Sequence, residues 1–184
     1  MQYLLISGAL RKDSVNTQLL HMAARHLELP TDSIADLNEF AIPLYSGDIE
    51  AVGIPEGVKR LGDLVAKAQA LIVSSPEYNY SVSGVLKNAI DWLSRIRPMP
   101  LTKKPLLLMT ASPGQIGGIR GAWQTRIPFE GLGNYVYPEM FSLSNSYQAI
   151  ANDAFTNSDD QKRFNTMLTA FQEFAKNLTT PSCT

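Results

Sequence analysis

A chain of 184 residues, 45% hydrophobic and 18% charged, suits one domain with a sizeable core. A formal net charge of −1 gives no basis for whole-surface binding to nucleic acid or anionic lipid, and it is unlike an acidic electron carrier that docks by charge. The single cysteine, Cys183, allows no internal disulfide, which fits a reducing compartment, and it reads as a thiol on a frayed tail.

In chain order, residues 2–7 form a short apolar strand. The leading Met1–Ser7 stretch is too short for a signal segment, and no apolar run reaches membrane-spanning length, so a cytoplasmic protein without a membrane partner is expected. Residues 16–28 predict a helix burying Leu19, Leu20, Ala23, Ala24 and Leu27, and Ser33 to Leu37 a second strand. The segment 38–54, with Pro43, Gly47 and Gly53, reads as a long irregular connection. Pro55 suits the first position of a helix striped by Val58, Leu61, Val65 and Ala68. A third strand at 69–75 leads to a helix at 83–96, and a fourth at 105–111 leads to a helix near 118–130. The fifth strand lies within 134–143, with Pro138 expected near the end of an edge strand because proline cannot donate to a ladder. Ser158 and Gln161 fit a capping box for a last helix whose stripe is Phe164, Leu168, Phe171, Ala175 and Leu178. The alternation implies an α/β fold: a doubly wound parallel sheet with helices on both faces, one domain over residues 1–180 and a tail at 181–184.

The three longest apolar strands each end in an unusual loop, and in a doubly wound sheet those loops meet on one rim. Loop one, Ser7 to Thr17, leads into a helix whose N-terminus favours anions; Arg11 supplies a guanidinium, and Ser14, Asn16 and Thr17 supply side-chain donors. Its other reading is ordinary capping with Arg11 solvated. Loop two, Pro76 to Ser81, offers Tyr78 and Tyr80 for stacking on a ring, with Asn79 and backbone amides for its polar edge; Pro76 and Glu77 open it. It also reads as a tyrosine-bearing turn packed on a neighbouring subunit. Loop three, Ser112 to Gly118, places Ser112, Gly114 and Gly117 where backbone approaches a ligand closely, or forms a ligand-free turn. Together the loops describe a pocket for a monophosphate carried on a planar heterocycle, and FMN fits that description. His21 and His26 read as surface residues of the first helix, and neither a metal cluster nor a nucleophile–base constellation stands out.

Gly8-Ala9-Leu10-Arg11-Lys12-Asp13-Ser14-Val15-Asn16 resembles the phosphate loop of NAD(P)H-dependent FMN reductases. Pro76 to Ser81, followed by Gly84 to Trp92, is similar to that family's most specific signature, and Ser112, Gly114, Gly117 and Gly118 match its glycine-rich third loop. The resemblance spans about residues 1–130. Two positions depart from it: Ala9 stands where serine is common, and Asp13, expected to face solvent, stands where a small residue is common.

The resemblance implies a flavodoxin-like five-stranded sheet of order 2-1-3-4-5. It implies FMN as cofactor, NAD(P)H as reductant and flavin, quinone, azo-dye or chromate as acceptor. Hydride passes through flavin N5, so no catalytic side chain is required. Glu77 has a structural alternative, orienting its loop, and Lys87 and Asp91 one turn apart pair on the helix surface. A homodimer or homotetramer is implied, with Trp92 and Ile96 as a plausible subunit contact. Arg11, Lys12 and Arg120 are each possible partners for a 2′-phosphate. A flavodoxin-type electron carrier and a flavin-free regulatory module are the alternatives.

Overall fold

The three central apolar runs become strands buried at every residue, as a parallel sheet covered by helices on both faces requires, while the two edge strands are only partly buried. The computed structural model describes residues 1–179, so Cys183 and the expected tail at 181–184 lie outside the described residues. The strands are β1 (Tyr3–Ser7), β2 (Ile34–Asp36), β3 (Ala70–Ser74), β4 (Pro105–Ala111) and β5 (Tyr135–Leu143), in the order β2-β1-β3-β4-β5. Every neighbouring pair is parallel. That is the expected flavodoxin-like order.

Alternation along the strands divides the core. Leu5, Ile72, Leu107 and Met109 face α1 (Val15–His26) and α7 (Ser158–Thr179), while Leu4, Ile6, Leu71, Val73, Leu106 and Leu108 face the other helical layer. That second layer is α3 (Glu56–Lys67), α4 (Gly84–Leu93) and α5 (Ile119–Gly131). Fully buried Phe164 and Phe171 anchor α7, and each such side chain contributes about 1.5–3 kcal/mol by leaving water.

Several local expectations are corrected. The 38–54 connection is not wholly irregular: a 3-10 turn covers Leu37–Phe40, and a short helix, α2, covers Gly47–Val52 with Ser46 accepting from the Asp48 N–H. Helix α2 buries no residue, so it has no apolar stripe to announce it. Pro55 is the cap of α3 and not its first residue. Asn157 replaces the Ser158–Gln161 box: its side chain accepts from the Asp159 N–H and its carbonyl from the Gln161 N–H, while the Gln161 side chain turns to Asn165. Leu178, the last of the expected stripe, is exposed.

Pro138 sits in mid-strand and not at its end. Val136 pairs with Leu106 and Met140 with Leu108, so residues 137–139 face one residue and the strand bulges. β5 is a sheet edge, which tolerates the missing donor. The Arg126 guanidinium donates to the carbonyls of Val136, Tyr137 and Pro138 and so occupies the acceptors that the bulge strands.

The face of α4 expected to meet a second subunit is internal. Trp92 is fully buried, its Nε1 donates to the Pro43 carbonyl at 2.8 Å, and the Tyr45 ring meets it edge-on at 5.1 Å. One turn earlier, Asn88 accepts from the Tyr45 N–H and donates to Pro43. Arg95 binds both oxygens of Glu50, and Ile96 packs toward Gly62 of α3. The Tyr45 hydroxyl, then the Arg95 guanidinium, hold the Glu50 carboxyl below the usual carboxylate range. One side of α4 therefore clamps the long connection. Lys87 and Asp91 pair on its surface as expected, at 2.6 Å.

Candidate active site

Parallel strands all release their chains at the same edge, so the loops after β1, β3 and β4 share one rim. Backbone bonds continue the ladder into them: Gly8 N–H to Ser74, Ser75 N–H to Met109, and Ser112 N–H to Leu143. A cleft of about 520 Å³ including its mouth opens there.

Loop one supplies the cationic end. Ser14 caps α1 by accepting from the Asn16 N–H, and the Ser14 carbonyl takes the Gln18 N–H. The first-turn N–H groups of Val15 and Thr17 have no intrahelical acceptor, and the positive end of the helix dipole lies beside them. Arg11 and Ser14 line the cleft. Asp13 is exposed and is not among the lining residues.

Asn16 lines the cleft too, but its side chain serves the frame. Its oxygen accepts from the Ala111 N–H and the Ser74 hydroxyl, and its amide donates to the Ala111 carbonyl, all within 3.1 Å. One buried side chain thus ties α1 to the ends of β3 and β4. Thr17 turns its hydroxyl to Ser7 at 2.8 Å and does not line the cleft.

Loop two is a tight hairpin. Tyr78 and Ser81 exchange both backbone bonds, while Asn79 and Tyr80 hold φ of 49° and 66°. A bulky residue in the left-handed region is strained, so the turn keeps Tyr80 at its tip at a cost. Pro76, Glu77 and Tyr78 line the cleft; Asn79 and Tyr80 do not, and the Arg120 guanidinium lies 5.0 Å from the Tyr80 ring centre. The Glu77 carboxylate accepts from the Gly121 N–H at 2.9 Å in the first turn of α5, so it orients the loop. A Cβ on Gly121 would stand 2.9 Å from the Glu77 backbone, which explains glycine at that crossing.

Loop three contributes Ser112 and Pro113 to the lining, but Gly114 and Gly117 stay outside it. Gly117, at φ 62°, is pressed against β5, where a Cβ would meet the Ser142 hydroxyl at 2.3 Å. Its freedom serves packing. Of the twelve expected residues the cleft therefore gathers Arg11, Ser14, Asn16, Pro76, Glu77, Tyr78 and Ser112.

Five lining residues were not anticipated: Val15, Ala111, Pro113, Ser146 and Tyr147. The last two belong to a short helix, α6 (Ser146–Ala149), after β5. Ser146 N–H bonds the Ser112 carbonyl and Asn145 N–H bonds Gly114, so this fourth loop is stitched to loop three. The polar run Ser144-Asn145-Ser146-Tyr147 at a strand end was the available signal. The rim is cross-linked elsewhere as well: the Ser83 hydroxyl, which caps α4, donates to the Gly8 carbonyl at 2.6 Å.

Comparison with known proteins shows the family. The model of the NADPH-dependent FMN reductase family matches residues 1–148. An NAD(P)H-dependent FMN reductase of Pseudomonas aeruginosa is 43% identical over 121 residues, 66% of this chain and 65% of that one. A quinone reductase of Escherichia coli is 40% identical over 131 residues, 68% of each chain. The chain thus matches about two thirds of the length of these curated relatives. The solved structure of the FerB flavoenzyme, an NAD(P)H:(acceptor) oxidoreductase from Paracoccus denitrificans, superposes with a TM-score of 0.83 at 27% identity, covering 95% of this chain and 97% of that one. Since that family model spans residues 1–148 of the 184, the chain belongs to the NADPH-dependent FMN reductase family.

Proposed function

We propose that the rim cleft holds FMN and that the protein is an NAD(P)H-dependent reductase passing hydride to a small-molecule acceptor: a quinone, an azo compound, a metal oxyanion or free flavin. The observation that carries this reading is a single cleft lined together by the Arg11 guanidinium, the N-terminus of α1 and the exposed Tyr78 of the hairpin. The residues fit the cofactor. Glu77 is the only carboxylate among the cleft-lining residues, and one of its oxygens is engaged by the Gly121 N–H.

FMN, when bound, supplies the hydride-carrying chemistry. Arg11 balances the phosphate charge, the Ser14 hydroxyl donates to it, and the free N–H groups of Val15 and Thr17 complete the anion cradle. Pro76, Tyr78 and Ser112 border the ring, with Asn79, Tyr80, Gly114 and Gly117 shaping the loops around it. Asn16 holds the N-terminus of α1 against the ends of β3 and β4 that border the cleft. Quinone is the first acceptor to test, because the Escherichia coli relative is named for it.

A homodimer or homotetramer is part of this reading. Trp123 and Ile127, one turn apart on α5, are both more than half exposed and suit a subunit contact. A monomer by light scattering would contradict it. No helix among the described residues is long and apolar enough to cross a membrane.

Anaerobic stopped-flow mixing of the FMN-loaded protein with NADPH tests the activity. The yellow absorbance should bleach rapidly and return on adding a quinone. No bleaching by NADPH or NADH would overturn the reductase reading and leave a carrier.

A further inference from the structure

Tyr147 makes a contact that the phosphate-loop motif does not explain. Its hydroxyl accepts from an Arg11 terminal nitrogen at 3.0 Å, and the Arg11 guanidinium carbon lies 5.9 Å from its ring centre. Arg11 follows β1 and Tyr147 follows β5. These strands stand three positions apart in the sheet, about 14 Å at the usual strand spacing. The pair therefore reaches across the ends of β3 and β4, and both residues line the cleft. Tyr147 has firm footing, since Ser146 beside it is buried and the preceding Asn145 is bonded to Gly114.

We infer that Tyr147 is a positioning residue that holds Arg11 over the phosphate end of the cleft and thereby sets how long the flavin stays bound. The inference rests on the FMN reading above. The chemistry of the pair suits the task. A guanidinium has five N–H donors, so one given to a phenol leaves four for a phosphate. A phenol is neutral at physiological pH, unlike a carboxylate, so it orients Arg11 without cancelling its charge. The ring adds a cation–π contact that a shorter polar side chain would lack. Without this hold, Arg11 is an exposed side chain on a loop and must lose more rotamer freedom on meeting the ligand.

The test is flavin dissociation followed by fluorescence for the wild type, Tyr147→Phe, Arg11→Ala and the double variant. Tyr147→Phe keeps the ring and the fold, and it should release FMN about 3- to 10-fold faster, the loss expected of one hydrogen bond. Riboflavin, which lacks the phosphate, should leave both proteins at the same rate. In the Arg11→Ala background the Tyr147→Phe change should have no effect, because the residue it positions is gone. Equal FMN release from wild type and Tyr147→Phe would overturn the inference, as would faster release of riboflavin by the same factor, which would assign Tyr147 to the ring. Failure of the wild type to bind FMN would overturn the cofactor reading and this inference with it, a result distinct from binding without a Tyr147 effect.

Discussion

Replacing Arg11 with alanine is expected to raise the FMN dissociation constant about 10- to 100-fold, the range for losing charge-assisted hydrogen bonds. Arg11 is the one arginine or lysine among the cleft-lining residues, so no neighbouring side chain there replaces its charge. Affinity for riboflavin should not change, since the guanidinium is directed at the phosphate. High salt should narrow the gap between wild type and variant for FMN, because the lost interaction is screened. Flavin-fluorescence titrations at two ionic strengths check both points. Equal FMN affinities for the two proteins would remove the phosphate from loop one.

Trp92→Ala is expected to destabilise the fold by about 4 kcal/mol, within the range for emptying a large aromatic site. Trp92 is fully buried, and its loss would also remove one of the two donors to the Pro43 carbonyl, leaving Asn88 as the other. Trp92→Phe keeps most of the volume and loses the hydrogen bond, so its cost should be nearer 1 kcal/mol. Urea denaturation separates the two as a large and a small fall in midpoint at similar slope. The damage should extend to ligand affinity. The connection that Trp92 holds begins at Asn38, whose amide donates to the Leu10 carbonyl in loop one. A Trp92→Ala protein as stable as wild type would mean that the clamp on α4 carries little of the fold.

The sheet, its order and its two core layers were legible because buried parallel strands leave unbroken apolar runs, and the amphipathic helices leave stripes. Asn16 shows what such patterns omit. Its residue type fits a ligand donor and a structural clip equally well, and only the approach of Ala111, 95 positions away, decides for the clip. Thr17 and Gly117 were drawn inward for similar reasons, by Ser7 and by β5. Tyr147 carries no such apolar signal, because it follows β5, whose apolar pattern is interrupted by Pro138. The bulge there is stabilised by Arg126, a partner no local pattern announces. Trp92 reads from sequence as a subunit contact because its burial depends on the 38–54 connection, which carries no apolar periodicity of its own.

The most direct test is an equilibrium titration of the purified full-length protein with FMN, with riboflavin alongside. Saturation at one FMN per chain, with riboflavin bound distinctly more weakly, is the result expected if the rim cleft grips the phosphate through loop one and the ring through loops two and three. No saturable binding of FMN, or equal affinity for the two flavins, would contradict it.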